Sequence, residues 1–241
     1  MDTAAPSIAR ISRISPQEFA TRMGRADSPL LLDVRREAKF AESACLLAGA
    51  LRCAPEQIAA FAKAQPLREV VVYCVYGHNF SDGAVAELRV AGWNAVALEG
   101  GIEGGQEGAD TEQDIARWRA QRLPTLLKRP DWGVTGEQPS RWITRERPKI
   151  DRIACPWLIR RFIDPRGEFF YVPAPQVLDE ARRLGAVAYD IPGAPVSHEA
   201  ELCSFDALPL YDALYAWCRD KVLGQDEPHN WKPGTPLEVL Q

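Results

Sequence analysis

Through its first hundred residues the chain alternates short apolar runs with amphipathic stretches. Leu30-Leu31-Leu32-Asp33-Val34, Val70-Val71-Val72-Tyr73-Cys74-Val75 and Ala95-Val96-Ala97-Leu98 are aliphatic and bounded by turn residues. Runs this short, apolar at successive positions, are the pattern of strands buried on both faces of a parallel sheet. Between them lie helical patterns. Pro16 to Met23 follows Ser15, with Glu18 three residues on in capping-box spacing. Glu56 to Ala64 is alanine-rich, and Ser81 to Ala91 carries Val85, Leu88 and Ala91 along one side. Alternating strands and helices predict an α/β domain, a mostly parallel sheet flanked by helices.

The pattern then changes. Residues 99–114 alternate acid with glycine and read as a flexible connection into a helix around Asp114 to Gln121. Pro124 to Pro139 has little periodicity, which places a boundary there. The expected organisation is a first domain over 12–110, a helical linker over 111–140 and a second, smaller mixed α/β or α+β domain over 141–241. In that second part Asp151 to Ile163 reads as a helix stopped by Asp164-Pro165. Phe169 to Val172 and Ala186 to Tyr189 read as strands. Pro209 to Leu223 reads as a helix, with proline in its first turn and Gly224 after its end.

Composition narrows the class. The chain has 241 residues, 46% hydrophobic and 26% charged, as expected of a folded chain with a sizeable core. A net charge of −4 argues against general nucleic-acid binding. No apolar stretch is long enough to span a membrane, and the first residues lack the basic-then-apolar signature of a signal peptide. A cytoplasmic location is expected. The six cysteines contain no Cys-x-x-Cys pair, so most read as small buried hydrophobes in a reducing compartment.

One cysteine stands apart. In Cys74-Val75-Tyr76-Gly77-His78-Asn79-Phe80-Ser81 a cysteine ends an apolar strand, a loop containing glycine follows, and a helix begins. A helix N-terminus favours thiolate over thiol, and a loop folded around the sulfur can aim amides at an anion. The bland alternative is a buried strand cysteine beside an ordinary turn. His78 either tunes the thiol or shuttles a proton, or it merely caps the loop. With Asp33-Val34-Arg35 after the first strand, Glu37, Phe40, Gly49-Ala50 and Leu98-Glu99-Gly100-Gly101-Ile102, the set resembles the rhodanese (sulfurtransferase) family over residues 12–106.

The resemblance implies covalent catalysis through a persulfide on Cys74, with residues 75–81 as the substrate-binding loop and Asp33 and Arg35 as structural support. It implies a small-molecule sulfur donor, a thiol or cyanide acceptor, and no cofactor for sulfur transfer. Three departures bear on it: His78 and Asn79 stand where many members carry a basic residue; the serine that opens the helix, Ser81, comes one residue later than in short-loop members; and Gly105 sits where tryptophan is usual and Ala48 where proline is frequent. A wider loop leaves oxyanion reduction open as well.

Residues 141–166 hold eight basic residues, Arg141, Arg145, Arg147, Lys149, Arg152, Arg160, Arg161 and Arg166, against Glu146, Asp151 and Asp164. Arg152 and Arg160 lie eight apart on one general side of the expected helix and are candidates to bind an oxyanion such as chromate; the bland alternative is a solvated face. Asp190 with His198, Glu199, Glu201 and Cys203 offers the mixed ligands of a zinc or iron site, or else a polar loop with a buried cysteine. The segment 145–165, Tyr189-Asp190-Ile191-Pro192-Gly193 and Ser197-His198-Glu199 resemble the C-terminal domain of the ChrB chromate-resistance family, over about 140–240. The expected function is a cytosolic sulfurtransferase joined to a domain associated with chromate resistance. The alternative is a chromate- or metal-responsive sensor with an inactive first domain.

Overall fold

A computed structural model describes residues 12–147, 149–197, 203–205, 208 and 214. The chain divides into two compact units, Met1–Ser140 with Leu158–Gly167, and Arg141–Trp157 with Glu168–Gln241.

The first unit is built on five parallel strands: β1 (Arg13–Ile14), β2 (Leu30–Asp33), β4 (Ala50–Arg52), β5 (Glu69–Tyr73) and β6 (Asn94–Leu98). They lie in the order β1-β6-β5-β2-β4, with Leu31 beside Val71 and Ala50, and Val71 beside Val96. Side chains alternate across the sheet. Leu30, Leu32, Val70, Val72 and Cys74 join Ile58, Ala62, Val85 and Leu88 on one face. Leu31, Val71 and Tyr73 join Phe19, Leu47 and Leu123 on the other. The helices are α1 (Pro16–Ala20), α2 (Glu37–Glu42), α3 (Ile58–Ala64), α4 (Asn79–Val90) and α5 (Glu112–Ala120). The three expected strands and the helices between them are present, so the α/β reading of this unit holds.

The expected linker does not behave as one. Within 111–140, α5 is followed by β7 (Thr125–Leu127), which pairs antiparallel with β3 (Cys45–Leu47). Leu123, Leu126 and Val134 are buried, and Lys128 N–H donates to the Ala44 carbonyl at 2.8 Å. Single apolar anchors among prolines carry no period, which is why this segment reads as a connection in sequence.

The buried pair at the end of β2 organises this unit. Arg35 is 1% exposed and grips the fully buried Asp33 through Nη2–Oδ2 at 2.6 Å and Nε–Oδ1 at 3.0 Å. The Tyr73 hydroxyl donates to Asp33 Oδ2 at 2.9 Å and accepts the Leu47 N–H at 3.2 Å. Burial opposes the charge on Arg35, but the hydrogen-bonded Asp33 carboxylate overrides it and the guanidinium pKa is raised. Burial, with the Asp33 charge, pushes the Tyr73 phenol well above its usual range, so it remains a donor.

In the second unit, β10 (Val187–Ala188), β8 (Arg141–Arg145) and β9 (Glu168–Val172) form a parallel sheet in that order. Helix α7 (Val177–Leu184) places Val177 and Ala181 with Ile143, Ala188 and Ile191 in its core. The helix expected over 151–163 appears as α6 (Asp151–Leu158) and a π-helical turn over Ile159–Ile163, with Pro156 inside α6. The helix expected over 209–223 lies outside the described residues apart from Leu214.

Removing either charge of the Asp33–Arg35 pair leaves the other buried and unpaired. Arg35→Ala should therefore lower stability by about 3–5 kcal/mol, and Tyr73→Phe by about 1–3 kcal/mol, as read from urea unfolding midpoints.

Candidate active site

Strand β5 ends at Tyr73, and strand alternation carries Cys74 to the face shared with Val70 and Val72. The loop Val75–His78 then leads directly into α4, whose N-cap is His78. The helix starts at Asn79, two residues before Ser81. Ser81 is consequently fully buried on α4, and neither it nor Gly77 lines the cavity in front of Cys74. That cavity, about 170 Å³, is lined by Cys74, Val75, Tyr76, His78, Asn79 and Phe80 together with Arg35, Arg36, Lys39 and Gln106. Cys74 is 5% exposed, and its Sγ lies 3.9 Å from the His78 carbonyl. Among the described residues, the N–H groups of Tyr76, His78, Asn79 and Phe80 find no acceptor, as expected where a loop opens into a helix N-terminus.

The loop conformation is imposed by close backbone packing. Gly77 has φ +79°, and a Cβ there would meet the Leu98 carbonyl oxygen at 2.7 Å and the Gly101 nitrogen at 2.8 Å. Gly101 has φ +58°, and its Cβ would meet the Cys74 carbonyl oxygen at 2.5 Å. Only glycine fits this interlock. The same turn donates from Ile102 N–H to the Cys74 carbonyl at 3.1 Å and from Glu103 N–H to the Val75 carbonyl at 3.0 Å. Residues 99–105, read in sequence as a flexible connection, therefore form the back wall of the cysteine loop. Arg13 adds a clamp, donating to the Gly77 carbonyl and pairing with Asp82 of α4 at 2.7 Å.

Four residues around the cavity escape sequence reasoning: Arg36, Lys39, Gln106 and Asp110. Arg36 lies over the Phe80 ring at 5.2 Å, and Lys39 pairs with Glu42 at 2.6 Å. His78 Nε2 meets Asp110 Oδ2 at 2.9 Å. Asp110 sits inside an acid-and-glycine run whose composition masks it.

Residues 15–107 match the rhodanese-like domain. Residues 142–214 match the ChrB, C-terminal domain. A curated relative, Protein ChrB of Cupriavidus metallidurans, is 37% identical over 87 residues, covering 32% of this chain and 25% of that protein. The match thus spans a quarter of the relative's length. Among solved structures, a rhodanese homolog from the extremely thermophilic bacterium Thermus thermophilus aligns with 26% identity and TM-score 0.32, covering 38% of this chain and 98% of that one. A thiosulfate sulfurtransferase from Pseudomonas aeruginosa aligns with 23% identity and TM-score 0.37, covering 52% and 21%.

The rhodanese-like unit resolves one departure noted in its sequence. Gly105 leaves room for a tryptophan brought from elsewhere. The Trp118 ring of α5 lies against Gly100 and Gly105, where a Cβ would meet it at 2.9 Å and 2.8 Å. Trp118 Nε1 donates to Glu99 Oε2 at 3.0 Å, which ties α5 to the turn behind the loop.

The remaining candidates scatter. Arg152 falls in the second unit and is 3% exposed, with Nε 3.3 Å from Asp190 Oδ2; Arg145 lies 3.7 Å from the same oxygen. Asp190, at φ +53°, thus faces two guanidinium groups, an unfavourable neighbourhood for a metal cation. His198, Glu199 and Glu201 lie outside the described residues, while Cys203 is half-buried. No cluster of three metal-ligating side chains occurs among the described residues. Arg160 is exposed and falls in the first unit. No helix among the described residues is long and apolar enough to cross a membrane.

One test follows from the loop and another from the buried Cys53. Gly101→Ala combines a positive φ with a backbone clash, and should cost about 1–3 kcal/mol in unfolding free energy while slowing alkylation at Cys74. Burial pushes the Cys53 thiol up to about 11. At pH 8 it stays protonated and should resist iodoacetamide, as peptide mapping would show.

Proposed function

We propose that the rhodanese-like unit is a sulfurtransferase that carries sulfur as a persulfide on Cys74. The observation that carries this reading is the placement of a thiol between the end of β5 and the start of α4, at a cavity rimmed by Arg36 and Lys39. In the first half-reaction the Cys74 thiolate attacks the outer sulfur of thiosulfate. The sulfur–sulfur bond of the donor breaks, sulfite leaves with the electron pair, and Cys74 retains the transferred sulfur as a persulfide anion. In the second, a thiolate or cyanide attacks that outer sulfur and the Cys74 thiolate is released. Unpaired N–H groups at the loop and helix start stabilise the sulfur anions in both steps. No cofactor is needed. A reducing cytosol would keep Cys74 available. Resemblance of the second unit to a chromate-resistance family supports a role for the activity in the response to that oxidant.

A second reading, oxyanion binding, is favoured by one observation. A cavity of about 110 Å³ in the first unit is lined by Arg25, Arg68, Arg160 and Arg161, and none of its lining residues is acidic. Equilibrium dialysis should then show chromate or sulfate binding that is lost in Arg160→Glu; undiminished binding in that variant overturns it.

For sulfur transfer, intact-protein mass after incubation with thiosulfate is decisive. The wild type should gain one sulfur atom, discharged by cyanide. Cys74→Ser should gain none, while Cys203→Ser gains it as the wild type does. Failure of the wild type to take up sulfur from thiosulfate or a small-molecule persulfide overturns the reading.

A further inference from the structure

The second half-reaction raises a problem that the thiol loop alone does not solve. An ordinary alkyl thiol is only a few per cent thiolate at neutral pH, so an acceptor thiol must lose a proton as it attacks. The cavity in front of Cys74 contains one group suited to take it. His78 lines the same cavity as Cys74, and its ring is 34% exposed. Its Nε2 meets Asp110 Oδ2 at 2.9 Å, and Asp110 is only 10% exposed. That carboxylate is itself fixed, since Oδ2 also accepts the Gln106 N–H at 2.7 Å. A carboxylate only accepts hydrogen bonds, so in neutral His78 the proton sits on Nε2. The lone pair is then on Nδ1, which takes no hydrogen bond from a described residue. Tyr76 and Phe80, 38% and 41% exposed, give the cavity an apolar rim suited to the organic body of a thiol.

We infer that His78, oriented by Asp110, is the general base that deprotonates a thiol acceptor during its attack on the Cys74 persulfide. The inference rests on the sulfur-transfer reading and assigns its acceptor class as small organic thiols. The acceptor's S–H proton passes to Nδ1, and its sulfur bonds to the outer sulfur of the persulfide. The bond between the outer sulfur and Cys74 Sγ breaks, with its electron pair returning to Sγ. Asp110 stabilises the imidazolium until its proton leaves through the exposed ring edge. Asp110 is a positioning residue, since it acts only through His78. Loading from thiosulfate consumes no acceptor thiol, so the two half-reactions can be scored apart.

The test separates the two halves. Full-length wild type, His78→Gln and Asp110→Asn are loaded with thiosulfate, then mixed either with an alkyl thiol or with a nitro-substituted arylthiol already ionised at neutral pH. Discharge is followed by intact mass. Loading is scored separately for each protein, and the discharge rate is read from its loaded fraction. His78→Gln should discharge to the alkyl thiol more slowly by about a hundredfold or more, with far less slowing toward the arylthiolate. Asp110→Asn should show the same split in smaller measure, and added imidazole should restore alkyl-thiol discharge in His78→Ala. Equal slowing with both acceptors, or no slowing with either, overturns the inference and leaves the sulfur-transfer reading intact. Loss of loading in His78→Gln also overturns it, because His78 would then serve the donor. Absence of loading in the wild type overturns both.

Discussion

The first unit depends on a charge pair kept out of water. Asp33 closes β2, and Arg35 turns back onto it with a two-pronged contact at almost complete burial. Two buried charges are costly unless the geometry is good and the remaining lone pairs are satisfied. Here they are. Asp33 also receives the Tyr73 hydroxyl and the Arg35 N–H, while Arg35 Nη2 reaches the Cys45 carbonyl at 3.0 Å. These bonds join the ends of β2 and β5 to β3. Since Cys74 directly follows Tyr73, the ion pair sets where the thiol leaves the sheet. Arg35 also lines the cavity in front of that thiol, so a residue whose first task is structural contributes a wall of the site.

A second constraint acts from behind. The cysteine loop and the Gly100-Gly101 turn approach so closely that neither Gly77 nor Gly101 has room for a side chain. Trp118 covers the outer side of that turn. The loop is thus held between the sheet, the turn and α5. A loop fixed in this way presents its N–H groups without having to reorganise when an anion forms, which is the condition under which such dipoles act most strongly.

How much of this is legible in sequence depends on whether a local period exists. β2, β5 and β6 are visible because they are apolar at successive positions, and α4 because its apolar residues recur at helical spacing. Cys74 and its loop are visible because strand, glycine and helix start fall in one short stretch. β1, β3, β4 and β7 have only two or three residues each, too few for any period. Asp110 and Gln106 are invisible for another reason. Their segment is acidic and glycine-rich, the composition of a flexible connection, and its order comes in part from partners far away in sequence, His78 and Cys74 among them. Arg152 fails in the opposite sense. A helical pattern places it on a basic face, but Asp190, 38 positions later, draws it inward.

The charges around Cys74 also bear on which sulfur compounds would suit the proposed chemistry. Of the cations at the cavity, Arg35 is matched by Asp33 and Lys39 by Glu42, and a protonated His78 is matched by Asp110. Among the described residues Arg36 has no carboxylate partner; it lies over Phe80 at the rim. The net pull on a dianion is therefore modest, and in water it is screened over about 8–10 Å. What remains strong at short range is the set of N–H dipoles at the loop and the start of α4, which act on a charge only once it is bound within the cavity. On the sulfur-transfer reading proposed above, such a site would discriminate little among donors by total charge and would hold the sulfur anion itself, the part that thiosulfate and an organic persulfide share.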